Sequence, residues 1–189
     1  MQPVLEEGQE LANLRLYNRI LASALAGLAG GAAMLAVWLV AFASLGRSPW
    51  RPLQLAASSV MGDTAMLPSA GVGTAIVGCL IHAITSAGFG ALFGVICAVR
   101  STFHLIMRGL LFGALLALAL QYIILPRAVS LAWALRMPLE VSLSAHLVFG
   151  LVTAWLILPL ERRLITREFE ERAEHPAIVV PIEEPRRSA

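Results

Sequence analysis

Two histidines carry most of the chemistry open to this sequence, because each stands inside a long apolar stretch where an ionisable ring is costly to keep. His82 lies in GCLIHAITSAGFGALFG, which sets Gly78, His82, Ser86, Gly90 and Gly94 four residues apart on one ridge of a helix. His146 lies in a similar row, Ser142, His146, Gly150 and Ala154. Three readings of the pair are open. Each imidazole could hydrogen-bond a neighbouring helix and fix packing, an interaction worth about 0.6–2 kcal/mol within membranes. The two could instead ligate a b-type haem from facing helices, with small residues making room for the flat macrocycle. Or they could line a proton or solute path, since imidazole titrates near pH ~6.5. No Asp, Glu or Arg accompanies either histidine within its apolar run, which weighs against the path.

Other chemically capable residues point less far. Cys79 and Cys97 fall on one predicted helix, about 27 Å apart at ~1.5 Å per residue, and read as small buried apolar residues rather than a disulfide. Asp63, the only Asp of the chain, follows Gly62 and reads as a turn or cap residue, with a cation or proton site as the alternative. All 14 basic residues are Arg, so a lysine Schiff base and a P-loop lysine are excluded, and no glycine-rich nucleotide-binding pattern occurs. A net charge of +2 gives no reason to expect nucleic acid as a partner. Without a paired carboxylate, a three-ligand metal cluster or a Ser/His/Asp set, the sequence predicts no enzyme and no metal site.

The elements that must position the histidines are membrane helices. The chain of 189 residues is 58% hydrophobic and only 14% charged, against the ~25% charged of a soluble domain. No Asp, Glu or Arg falls in residues 20–46, 64–99, 109–126 or 141–160, and each run is near or above the ~18–20 residues that cross a bilayer as a helix. The predicted fold is therefore all-α and polytopic, a four-helix transmembrane domain over residues 20–160 with spans at about 20–45, 72–99, 105–125 and 139–160. Residues 1–19 are predicted to form a short amphipathic helix at the interface, from the spacing of Leu11, Leu14 and Tyr17. The acidic start and the length of the first apolar run read as an uncleaved span. In the longest connection, Arg47, Trp50 and Arg51 look like an interfacial anchor, and Leu53–Leu67 like a short helix on or dipping into the membrane. Residues 161–189 read as a charged cytoplasmic helix, ERRLITREFEERAE, followed by a disordered proline-bearing tail.

Small residues suggest how the spans pack. Gly27 and Gly31 lie four apart in the first span, and Gly109 and Gly113 in the third, giving surfaces where backbones can approach. Spans one and three thus share a glycine pair, and spans two and four share the histidine row. This reads as a two-helix unit used twice in the same membrane sense, a parallel internal repeat. On that reading His82 and His146 lie about 15 Å and 10 Å into their helices and face each other across a pseudo-two-fold axis.

Over about residues 19–160 the chain resembles a group of small bacterial inner-membrane proteins of unknown function, with four spans built as two pairs. The resemblance rests on stretches such as Arg108-Gly109-Leu110-Leu111-Phe112-Gly113, Ile124-Leu125-Pro126 and Ser144-Ala145-His146-Leu147-Val148-Phe149-Gly150. It implies a fold and an inner-membrane location, and brings no catalytic residue with it. The functions left open are an accessory or scaffolding subunit, a small oligomeric channel or transporter with the histidine pair on its path, and a bis-histidine haem protein. The expected partners are the lipid bilayer and a homo-oligomer or larger membrane complex.

Arginines orient the chain. Arg15, Arg19, Arg100, Arg108, Arg162, Arg163 and Arg167 fall on the side of both termini, against Arg47, Arg51, Arg127 and Arg136 on the other, and the Arg-rich side stays cytoplasmic. Reporter fusions after Ala189 and within residues 55–65 should report opposite compartments, with the C-terminal one cytoplasmic; a periplasmic C-terminus overturns the orientation.

Overall fold

A computed structural model describes residues 2–97, 101–128 and 137–174. Arg100, the connection 129–136 with Trp133 and Arg136, and the tail from residue 175 lie outside the described residues. In chain order the elements are α1 (Gln2–Ser44), α2 (Arg51–Met61), a 3₁₀ turn (Gly62–Met66), α3 (Val72–Ile96), α4 (Thr102–Ala119), a π-helical turn (Leu120–Ile124), α5 (Leu125–Ala128) and α6 (Leu139–Glu174). Four stretches are helical, long and apolar enough to cross a membrane: Asn13–Ser44, Val72–Ile96, Thr102–Arg127 and Leu139–Arg167.

The N-terminal segment differs from expectation. Residues 2–44 form one uninterrupted helix, so the amphipathic stretch extends the first span instead of forming a helix of its own. No proline interrupts residues 4–44, and nothing in the sequence there forces a break. At the other end, α6 likewise runs on from the fourth span to Glu174. Pro159 removes one ladder hydrogen bond without ending that helix.

The first and last spans occupy the middle. α1 packs against both α3 and α6, and α4 packs against α6, giving the order α3, α1, α6, α4, which Phe93 of α3 and Phe112 of α4 close with ring centroids 5.2 Å apart. The main joint between the two halves is α1 on α6, whereas an exact two-fold would make the α3–α4 joint equally extensive. Neighbours in this order run antiparallel, as residue pairs along each seam show. Along α1 and α3, Gly27 meets Gly90 and Gly31 meets Ser86, while along α4 and α6, Gly109 meets Gly150 and Gly113 meets His146.

These seams close to backbone contact. A Cβ added at Gly27 would stand 2.7 Å from the Cα of Gly90, and one added at Gly90 would stand 2.6 Å from the Cα of Gly27. At Gly109 an added Cβ would press on the Gly150 carbonyl oxygen and stand 2.6 Å from the Ala154 methyl. Gly94 faces the Ser23 side chain. Gly78 meets the backbone of Leu53 in α2, so the start of the α3 row receives the connecting helix and not another span.

That connecting helix is folded in. Leu55 of α2 and Met66 of the 3₁₀ turn join Phe42 of α1 and Met137 in one apolar cluster, and Arg51 donates to the Met66 carbonyl at 2.8 Å. Asp63 is exposed in the first turn of the 3₁₀ segment, directly after Gly62 at φ +66°. Its placement suits a turn residue.

The π-helical turn follows from Pro126. A proline ring inside a helix collides with the carbonyl four residues back and supplies no N–H. Here the turn before it widens, with the Leu125 N–H bonding to the Leu120 carbonyl. Gln121 lies in this turn, buried, and donates through Nε2 to the Met137 carbonyl at 3.2 Å. It thus braces the third span against the segment that leads into α6.

The seam gives a contrast of two glycines on one helix. Gly90→Ala should lower stability by about 1–3 kcal/mol through overpacking, and Gly90→Leu should abolish the folded bundle. Gly88, with nothing within 4 Å of an added Cβ, should accept Ala with no loss. Thermal unfolding in detergent measures both.

Candidate functional site

The histidine-bearing rows meet around a residue of α1. Trp38 lies seven residues beyond Gly31, two turns along the same face, and its indole packs against both imidazoles. The ring centroids of Trp38 and His82 are 5.7 Å apart at 50°, and those of Trp38 and His146 are 5.7 Å apart at 69°. Both histidines are inside the bundle, His82 8% exposed and His146 2% exposed. The Trp38 indole is the contact the two rings share.

Each ring is held by a backbone carbonyl. His82 Nε2 lies 2.9 Å from the Gly31 oxygen, and because a carbonyl only accepts, this nitrogen carries the proton and donates. The bond follows from the seam, since α1 and α3 touch at Gly31 and Ser86, one turn from His82. His146 Nδ1 lies 2.7 Å from the Ser142 oxygen one turn back on α6, so Nδ1 donates and Nε2 of the neutral ring presents a lone pair. That Nε2 has no partner among the described residues, and neither has Trp38 Nε1. The nearby hydroxyls serve elsewhere: Thr85 bonds to the Ile81 and His82 carbonyls, and Ser144 to the Val141 carbonyl.

The surroundings are apolar. Met34, Leu116, Ala145 and Phe149 form a buried cluster on which Trp38, Phe89 and Phe112 pack. Phe149 fits beside Gly30, where α1 and α6 come together.

A haem does not suit these residues. Bis-histidine ligation needs two metal-facing nitrogens free to bind, with the macrocycle between them. Each ring keeps one unprotonated nitrogen, but the Trp38 indole lies against both rings, with its centroid 5.7 Å from each. No group of three or more His, Cys, Asp or Glu able to hold a metal occurs among the described residues. Cys79 is exposed on α3 and Cys97 is buried at its end, both as free thiols.

A second polar centre lies at the far end of the same bundle. Arg19 of α1 donates through Nε to the Gly94 carbonyl at 2.9 Å and through one terminal nitrogen to the Cys97 carbonyl, so it caps the C-terminus of α3. Its other terminal nitrogen pairs with Glu161 of α6 at 3.3 Å, with the two side chains 12% and 19% exposed. One guanidinium therefore ties three helices together, and its planar fork makes this possible where an ammonium would not.

A model of a family of unknown function, DUF6789, matches residues 17–166. The chain belongs to this family. The match takes in both histidine rows, Trp38, and the Arg19 and Glu161 partners. No curated protein and no solved structure matches the chain.

Trp38 and Arg19 are the residues that sequence reasoning undervalued. A lone tryptophan in an apolar span suits ordinary packing or lipid contact, although the place of Trp38 two turns beyond Gly31 puts it on the packed face. Arg19 reads only as a topological charge. Its pairing with Glu161 spans 142 residues of sequence, and no local pattern signals it.

Removing the clamp tests its weight. Arg19→Ala should destabilise the protein by about 2–4 kcal/mol, because it strands a half-buried carboxylate and two carbonyls. Arg19→Lys should recover part of this and Glu161→Gln should cost less than Arg19→Ala. Unfolding midpoints of the three variants give the order.

Proposed function

We propose that the chain is a non-catalytic integral membrane protein that serves as an accessory or scaffolding subunit in a bacterial inner membrane, with both termini cytoplasmic. The observation that carries this reading is the state of the two intramembrane imidazoles. Each donates to a helix carbonyl and packs on the Trp38 indole, so both work as joints between helices and not as consecutive members of a polar row. On this reading the chain acts through its surfaces, and α3 and α4 expose Ile76, Leu80, Ile84, Leu111 and Leu115 to lipid or to a partner. The arginine bias supports the orientation.

The competing reading is a channel or transporter with the histidine pair on its path, and it is favoured by the lone pair on His146 Nε2. Purified protein in liposomes separates the two. The scaffold reading expects a pH gradient to decay no faster than in empty vesicles, and native mass spectrometry of the detergent extract to show a defined homo-oligomer or stoichiometric complex. Decay faster than in empty vesicles, slowed by both His82→Gln and His146→Gln, overturns it in favour of a conducting path; a monomer without stoichiometric partners also overturns it.

A further inference from the structure

The two unpartnered nitrogens on neighbouring rings are complementary. Trp38 Nε1 carries a proton and can only donate, and His146 Nε2, with its proton on Nδ1, can only accept. The rings are 5.7 Å apart, yet no direct bond joins them. Buried polar groups in proteins are almost always satisfied, and a leftover donor beside a leftover acceptor in an apolar core is the setting in which an internal water is held. One water accepts and donates at once, so it can take the indole N–H and give a hydrogen bond to the imidazole lone pair.

We propose that Trp38 and His146 form a binding site for one structural water, which accepts from Trp38 Nε1 and donates to His146 Nε2. The ligand class is a small neutral molecule that both donates and accepts. A cation is disfavoured because no carboxylate joins the ring cluster among the described residues, and an anion because no arginine does. The water links α1 and α6 at the level of the histidines, as the Arg19–Glu161 pair links the same two helices at the other end. The inference holds whether the protein is a scaffold or a conductor, since one enclosed water makes no path by itself.

Nuclear magnetic resonance of the full-length protein in lipid nanodiscs, with ¹⁵N-labelled His and Trp, tests the site using water itself as the probe. The Trp38 indole signal is assigned by its loss in Trp38→Phe. The expected result is dipolar magnetisation transfer from a long-lived water to the Trp38 indole proton, with His146 Nε2 shifted as a hydrogen-bond acceptor. In His146→Gln, which keeps an acceptor, the transfer should persist, and in His146→Phe it should fall by at least half. A through-bond nitrogen–nitrogen coupling between Trp38 Nε1 and His146 Nε2 would show a direct bond and overturn the proposal. So would the wild-type protein showing no water transfer and an Nε2 shift typical of a bare lone pair, a result that does not depend on any variant folding.

Discussion

Backbone contact between α1 and α3 at Gly27 and Gly90 is the constraint on which the rest of this bundle depends. Lipid tails are as apolar as leucine, so burying leucine against another helix gains little inside a membrane, and association rests on close packing and on hydrogen bonds between helices. Close packing needs residues without side chains at the crossing point. Gly27, Gly31, Gly90 and Ser86 supply them, and the short distance between helices lets the His82 ring reach a carbonyl on its neighbour. The same device repeats between α4 and α6, where Gly109 and Gly113 lie against Gly150 and the His146 backbone.

The third seam, α1 on α6, has a different chemistry. Among the described glycines, Gly30 gives the close approach there, against Thr153 and Phe149. The joint relies on Arg19 with Glu161 at one end and on Trp38 with His146 at the level of the histidines. An ion pair in this setting gains from low dielectric but also loses hydration, so its worth depends on satisfying every donor. Arg19 engages all three of its nitrogens by adding the Gly94 and Cys97 carbonyls to the carboxylate. The two halves are consequently alike within each helix pair and unlike in how they are joined.

Histidine in a membrane core invites a functional reading because its ring can change charge near neutral pH. In this bundle both rings are anchored by carbonyls and share one indole, which makes them joints first. The arrangement also settles their tautomers by simple valence, since a carbonyl accepts only from a protonated nitrogen. That valence leaves one lone pair on each ring toward which a donor can turn.

The sequence alone determined the class of this protein and the elements of its packing. Runs of about 20 uncharged residues dictate four membrane-crossing helices, and glycines at a spacing of four mark the faces where helices touch, because both properties depend on local composition and helical period. Tertiary structure alone decided which faces meet. Periodicity places Gly30, Trp38 and Arg19 on helix faces but does not say that α6, rather than α4, lies across from them. It could not show that the Gly78 end of the α3 row would be covered by the loop helix α2, or that Pro126 would open a π turn and bring Gln121 inward. Those outcomes are set by pairings between residues far apart in the chain, where a carbonyl, a guanidinium or an indole finds its partner only after the helices have packed.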